Sequence, residues 1–116
     1  QSRQAPKLAE SQQLYKSTQS DLIFKKKNLE TELHSLDRRI AATNRQIKIY
    51  SSQIIPELQQ IKTLANAEYS AGKGNVLAII DADQALVRSQ QKLLALNVAR
   101  ARALIEVRYI YGEQPQ

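Results

Sequence analysis

A seven-residue repeat of apolar side chains runs through the first half of the chain and constrains its fold more than any other feature. The side chains recur in two adjacent rows. These rows are Leu33, Ile40, Ile47, Ile54 and Ile61, and Leu8, Tyr15, Leu22, Leu29, Leu36, Thr43 and Tyr50. A period of 3.5 residues is that of an α-helix packing lengthwise on another helix. The repeat therefore predicts an all-α fold built on a coiled-coil seam.

Helix-breaking residues divide the chain into two helices of unequal length. The chain has only 3 glycines and 3 prolines, and its helix signal is clearly interrupted once, by the segment Gly72-Lys73-Gly74-Asn75. Gly72 can adopt the left-handed conformation that ends a helix, and Asn75 can cap the next one. We therefore predict one long antiparallel helical hairpin domain, with a helix over about 6–71, a tip turn at 72–75 and a helix over about 76–111.

The second predicted helix is too short to cover the first. Folding back from the turn, it reaches only about residues 35–71. Six large apolar side chains beyond that range would have no partner within the hairpin. They are Leu8, Leu14, Leu22, Ile23, Phe24 and Leu29. Because leaving each in water forfeits about 1.5–3 kcal/mol, we expect further helices, from a partner copy or from sequence outside this chain, to pack here.

Pro56 interrupts the repeat inside the first predicted helix. The second row skips one residue there, from Tyr50 to Leu58. Proline removes one backbone hydrogen bond and crowds the preceding turn, at a cost of about 3 kcal/mol if nothing compensates. We expect a helix kink, hinge or break over Gln53–Glu57. In an alternative arrangement, the helix breaks at Pro56 and the chain forms a three-helix bundle.

The second predicted helix carries more apolar surface than one partner helix needs. Its two adjacent rows are Ile79, Leu86 and Leu93, and Ile80, Val87, Leu94 and Ala101. Together they are wider than a two-helix seam. This helix is therefore expected to pack against more than one neighbour.

The composition argues against an enzyme. The chain has no cysteine and one histidine, His34. It therefore lacks the residues that form disulfides, thiolate metal sites and clusters of imidazole ligands. Asp81 and Asp83 diverge on a helix and do not form a catalytic carboxylate pair. No catalytic residue, metal site or cofactor is predicted.

The charge is positive but dispersed. The net charge is +6 and the sequence pI is about 9.7, with the basic excess shared by both halves. The runs Lys25-Lys26-Lys27 and Arg38-Arg39 wrap around a helix rather than form one face, so a nucleic-acid partner is not expected. The longest purely apolar run, Val76–Ile80, is far below the roughly 20 residues of a membrane-spanning helix.

The segment around the turn resembles the TolC-like outer-membrane factors. From Tyr69 to Ala82 it shows an aromatic residue, a glycine three residues later and an aliphatic run ending in Asp-Ala. Ile54-Ile55-Pro56 is similar to the Ile-Leu-Pro of the cation-efflux and multidrug branches, and Tyr109-Ile110-Tyr111-Gly112 resembles their closing helix. The resemblance covers nearly the whole chain and corresponds to the periplasmic helices of the family's second repeat.

This resemblance implies a passive transport role. The family forms homotrimeric outer-membrane channels whose helices build a periplasmic tunnel in tripartite efflux pumps and type I secretion systems. The expected partners are a periplasmic adaptor protein and, through it, an inner-membrane pump. The Ile-Ile-Pro segment leans towards the cation-efflux branch, and hence metal resistance. Without an initiator methionine or a signal-like start, the sequence is expected to be a piece of a longer protein.

The resemblance also implies roles for the tip. In the family the glycine turn lies at the periplasmic end, where the adaptor's helical hairpin docks. Carried onto this chain, the docking residues are Gly72, Lys73, Gly74 and Asn75. The glycines would let a partner backbone approach closely, and in the alternative interpretation they only permit the turn.

Two residues beside the turn match positions at the family's channel entrance. Asp81 matches an aspartate that forms an acidic ring in some members, and Tyr69 matches a tyrosine that helps to hold the tip closed. Alternatively, Asp81 is an early-helix carboxylate favoured by the helix dipole and Tyr69 simply packs. Ala78, Gly74 and Asp83 depart from members with a salt-bridged gate, so such a gate is not expected here.

Two other functions stay open. A periplasmic adaptor also carries a helical hairpin, but it should show a basic-leucine-serine tip signature and lead into lipoyl-like strands, and this sequence has neither. A cytosolic coiled-coil scaffold, or a rod associated with nucleic acid, would form a dimer independent of any channel.

Overall fold

The chain folds as one long helical hairpin. The computed structural model describes the backbone of residues 4–113 and the side chains of residues 5–112. Helix α1 spans Gln4–Ile49, a π-helical turn (the π turn) spans Tyr50–Ile54, α2 spans Ile55–Ser70 and α3 spans Val76–Glu113. The molecule measures 104 × 21 × 16 Å. The predicted all-α hairpin with unequal helices is confirmed, with its helix ends within about two residues of the expected positions.

Contacts at three levels show that α3 runs antiparallel to α1 and α2. Near the tip, Lys62 forms an ion pair with Asp83, with 2.8 Å between Nζ and Oδ1. Midway, Arg100 donates a hydrogen bond to the side-chain oxygen of Asn44 at 2.9 Å. Farther from the tip, a core cluster joins Leu36 of α1 to residues near the end of α3. Residue numbers thus fall along one helix as they rise along the other.

The helices meet along a continuous seam, called here the inner seam. On α3 it consists of Ile79, Ala82, Leu86, Ser89, Leu93, Leu96, Arg100, Ala103, Val107 and Ile110, spaced alternately three and four residues apart. On α1, the π turn and α2, together called the long helix, it consists of Leu29, Leu33, Leu36, Ile40, Thr43, Ile47, Tyr50, Ile55, Leu58, Lys62 and Ala65. Every one of these side chains is buried or half-buried, as the heptad repeat requires.

The π turn absorbs the one-residue skip in the repeat. Tyr50 and Ile55 of the inner seam lie five residues apart, where a regular α-helix would have four, and the Ile55 N–H donates to the Tyr50 carbonyl. Such a single wide turn accommodates one extra residue. Beyond it the seam passes to Lys62, while Ile61 stays 53% exposed. The prediction that Ile61 continues the seam was wrong, because the π turn rotates the following residues by one position.

Pro56 does not end the long helix. It follows the π turn as the second residue of α2, so it stands in the first turn of a new α-helical segment, where proline is tolerated. The three-helix alternative is therefore wrong. The irregular segment lies at Tyr50–Ile54, a few residues before the predicted Gln53–Glu57, because the backbone adjusts ahead of the proline.

The return helix covers more of α1 than expected. Leu29 is half-buried and packs against the core cluster of Leu36, Ala103 and Ile110, so its predicted exposure was wrong. Helix α3 reaches Leu29 because it continues to Glu113. The other five predicted side chains are exposed: Leu8 62%, Leu14 70%, Leu22 56%, Ile23 67% and Phe24 68%.

Within residues 4–113, no helix carries an apolar stretch that would reach across a lipid bilayer.

Removing the extra residue should straighten the helix without loss of stability. Deleting Ser52 from the π turn, together with Pro56→Ala, places Ile55 four residues after Tyr50 and leaves Leu58 and Lys62 in the inner seam. We expect an unfolding free energy at least equal to that of the native chain, measured by urea denaturation followed by circular dichroism.

A deletion in the regular part of α1 is the control. Removing Arg38, twelve residues ahead of the π turn, shifts Ile40, Thr43 and Ile47 by one position, and these residues lie before the wide turn that could absorb the change. We expect a loss of several kcal/mol. If both deletions destabilised the hairpin equally, the π turn would not be the site of the extra residue.

The burial pattern also predicts unequal effects of equal truncations. Leu36 is 4% exposed, and Leu36→Ala should cost about 2–4 kcal/mol. Leu22 is 56% exposed, and Leu22→Ala in the isolated hairpin should change stability by less than about 0.5 kcal/mol. Denaturant unfolding of both variants is the measurement, and a large effect at Leu22 would mean that another surface covers α1 there.

Candidate docking site at the hairpin tip

The tip turn begins with a helix-ending motif centred on Gly72. This glycine has a φ of 74°, the left-handed conformation. Its N–H donates to the carbonyl of Tyr69 at 3.0 Å, and the N–H of Lys73 donates to the carbonyl of Glu68 at 2.9 Å. These two bonds form a Schellman motif, which satisfies carbonyls at the end of α2. Gly72 is therefore required by the turn itself.

Gly74 is needed for a different reason. Its N–H also donates to the Glu68 carbonyl, at 3.1 Å, so the chain folds back closely over the last turn of α2. A Cβ at Gly74 would lie 3.2 Å from Cβ of Glu68 and 3.3 Å from the backbone nitrogen of Tyr69. The turn leaves little room there for a side chain.

Asn75 starts the return helix as sequence reasoning expected. Its side-chain oxygen accepts a hydrogen bond from the N–H of Ala78 at 2.9 Å, which is the geometry of a helix N-cap. The four residues predicted to dock a partner thus form one rigid turn with both helix ends closed by hydrogen bonds. Their role in docking stays a prediction.

The surface of the tip is open and mixed in character. Gly72 has no atom within 4 Å of an added Cβ, so its outer side faces free space. Lys73 is exposed. Its backbone N–H donates a hydrogen bond, and its side chain makes none to the residues that the structure describes. Val76 and Leu77 are 48% and 63% exposed. The tip therefore presents backbone, one cation and two apolar side chains to any partner.

The two predicted entrance residues lie close to the tip on different helices. Tyr69 is in the last turn of α2 and is 50% exposed, with its backbone carbonyl engaged in the Schellman motif. Asp81 is exposed in the second turn of α3. Asp83, by contrast, is held by Lys62 across the inner seam. The hairpin brings Tyr69 and Asp81 to the same end of the molecule, and neither role at a channel entrance is tested by this arrangement.

One polar cluster in the inner seam was missed by sequence reasoning. Arg100 occupies a position of the inner seam where most residues are apolar. Its guanidinium donates hydrogen bonds to the side-chain oxygens of Asn44, at 2.9 Å, and Asn97, at 3.1 Å. The signal was present, because an arginine in an otherwise apolar heptad position needs a local partner. The cluster favours one register of the two helices.

A second apolar seam lies almost opposite the inner seam of α3. This outer seam consists of Leu77, Ile80, Gln84, Val87, Gln91, Leu94, Val98, Ala101 and Ile105. It repeats every three and four residues, and all nine of its side chains are exposed. Since it is displaced from the inner seam by two residues, it lies about 160° away around the helix. The second row of the sequence belongs to this seam, so α1 and α2 cover only one side of α3.

Comparison with known proteins gives no relative: no family model, curated protein or solved structure matches this chain. Among the described residues, no group of histidine and acidic side chains could hold a metal ion.

The local backbone geometry predicts different effects of alanine at the three glycines. Gly72→Ala forces a side chain into the left-handed region and should cost about 1–2 kcal/mol. Gly112 lies in the last turns of α3 with no atom within 4 Å of an added Cβ, so Gly112→Ala should raise stability by about 0.5–1 kcal/mol. Gly74→Ala should be destabilising through contact with α2. Denaturant unfolding of the three variants measures these effects, and equal effects at positions 72 and 112 would contradict the Schellman motif.

Proposed function

We propose that this chain is the periplasmic helical hairpin of a TolC-like outer-membrane channel, and that it docks a periplasmic adaptor protein through its tip turn. In this role the hairpin is one element of a wall of helices in a tripartite efflux pump or secretion system. It makes and breaks no covalent bond, and it needs no cofactor.

The observation that carries the proposal is the pair of opposed seams on α3. A helix that ends a two-helix hairpin needs one apolar stripe, whereas a helix inside a wall needs two, one for each neighbour. The inner seam is covered by α1 and α2, and the outer seam is open along its whole length. The exposed apolar side chains near the start of α1 support the same interpretation, because they too require a neighbour.

The tip suits a docking role. In a wall of parallel hairpins the turns of all copies would lie at one end. They would lie away from residues 5–28 of α1, which α3 leaves exposed and which are called here the overhanging part of α1. Gly72 leaves its outer side open, and the flanking hydrogen bonds hold the turn in one conformation, which lowers the entropic cost of binding. An adaptor hairpin could therefore approach the backbone of the turn closely.

The finer parts of the proposal rest on the resemblance in sequence. They are the homotrimeric state of the full-length channel, its place in the cell envelope, the link to an inner-membrane pump, and the lean towards metal-ion efflux. Asp81 and Tyr69 are proposed to face the entrance, where a ring of three Asp81 carboxylates would attract cations.

Docking should depend on the charge at the tip. In the full-length protein, Lys73→Glu should reduce co-purification with the periplasmic adaptor of the same host by about tenfold and restore susceptibility of the cells to exported toxic compounds. The variant should fold normally, because the Lys73 side chain makes no described contact.

Lys92→Glu is the matched control. Lys92 is also an exposed lysine, but it lies near the middle of α3, far from the turn. This variant should keep adaptor binding, export and outer-membrane abundance. Equal loss of binding in both variants, or a full-length protein absent from the outer membrane, would contradict the proposed function.

A further inference from the structure

The outer seam of α3 is an unoccupied helix-packing surface with a defined length. Its nine positions extend from Leu77 to Ile105, over roughly 42 Å of helix. None carries a charge, and six are large apolar side chains. These six are Leu77 63%, Ile80 44%, Val87 50%, Leu94 65%, Val98 42% and Ile105 64% exposed. Surface of this extent and regularity marks a contact with another helix.

The charges along one edge of the outer seam define a direction. Asp81, Arg88 and Arg102 occupy the same heptad position, seven and fourteen residues apart, so they project from one side of α3. The acidic group lies near the tip and the basic groups lie away from it. Among the described residues, none of the three takes part in an ion pair.

This charge order favours one orientation for a second copy of α3. In a parallel copy in register, this edge would face the opposite edge of the second α3, which places Arg88 beside Asp83 and leaves Asp81 and Arg102 beside uncharged residues. Asp83 is already paired with Lys62 within the hairpin. An antiparallel copy brings Asp81 beside Arg102 of the second copy, and twofold symmetry forms this ion pair twice. The same register leaves Arg88 beside Ala95 and Gln90 beside Asn97, both without like-charge contacts.

We propose that two copies of this chain pair through the outer seams of their α3 helices as an antiparallel, twofold-symmetric dimer. The layers follow from the alternating three- and four-residue spacing. They place Leu77 beside Arg108, Gln84 beside Ala101, Gln91 beside Leu94, Val98 beside Val87 and Ile105 beside Ile80. The apolar core of this interface then contains the six large side chains of each copy, and Arg108 lies at its ends, where its charge can reach water.

The dimer and the proposed function both use the outer seam, but they are tested by separate measurements. The outer seam can hold only one helix at a time, so the contact belongs to the hairpin on its own and would be exchanged for a neighbouring helix in a channel wall. Loss of adaptor docking would not affect the dimer, and a monomeric hairpin would leave the docking test unchanged.

Cysteine cross-linking tests the arrangement directly, because the chain has no cysteine of its own. Gln84→Cys and Ala101→Cys lie on exposed positions of the outer seam, roughly 25 Å apart within one helix, too far for an intrachain disulfide. The double variant should form a disulfide-linked dimer under mild oxidation. Each single variant should stay monomeric on a non-reducing gel, whereas strong dimers from a single variant would indicate parallel packing and overturn the proposal.

A charge swap tests the register. Asp81→Arg and Arg102→Asp should each weaken dimerisation by about tenfold or more in sedimentation equilibrium, and the double variant should restore it. Additive weakening in the double variant would overturn the proposed pairing. Leu94→Glu should abolish the dimer, while Leu22→Glu, at another exposed leucine on α1, should not. The reverse result would place the contact on the overhanging part of α1.

Small-angle scattering supplies a third readout. Two rods of 104 Å that share only the outer seams, antiparallel, would span about 155 Å end to end. A side-by-side parallel dimer would keep the length of one rod. A maximum dimension near 155 Å supports the proposal. A monomer at about 100 μM, or a dimer near 105 Å, overturns it.

Discussion

The structure depends on the packing of α3 along a single seam of the long helix. Among the side chains that the structure describes, none is completely buried, and neither helix packs against a further element. The hairpin therefore has a thin core in which each layer matters. Elongation follows from this constraint, because two helices can bury only the stripe where they touch. Two polar contacts join the helices at the seam, between Lys62 and Asp83 and between Arg100 and Asn44. They fix how the two helices are aligned lengthwise and add little to the free energy of unfolding.

The π turn shows how the seam overrides local helix geometry. A regular α-helix through this region would carry Ile61 into the seam and leave Leu58 outside it. By admitting one extra residue ahead of Pro56, the backbone keeps apolar side chains facing α3 on both sides of the proline. The hydroxyls of Ser51 and Ser52 bond back to the carbonyl of Lys48, which supplies partners where the regular helical pattern is disturbed.

The outer seam and the overhanging part of α1 connect the fold to function. Both are apolar surfaces that the hairpin cannot bury by itself, and the proposed function assigns other helices to them. The tip differs from them, since its backbone is closed by hydrogen bonds and its outer side is open. The hairpin therefore separates surfaces for lateral packing from a compact end suited to contact with a partner.

The sequence by itself determined the helical hairpin, its turn and most of its caps. The heptad repeat specified the seam, Gly72 and Asn75 specified how the two helices end and begin, and the unequal lengths predicted the exposed side chains of α1. These features depend on local spacing and on single-residue backbone preferences, which a sequence displays directly. Only the tertiary structure decided where the extra residue is absorbed, which of the two rows of α3 faces inward, how far coverage extends, and that Arg100 reaches Asn44. Each of these depends on where two helices meet, and adjacent apolar rows on one helix remain equivalent until a partner packs against one of them.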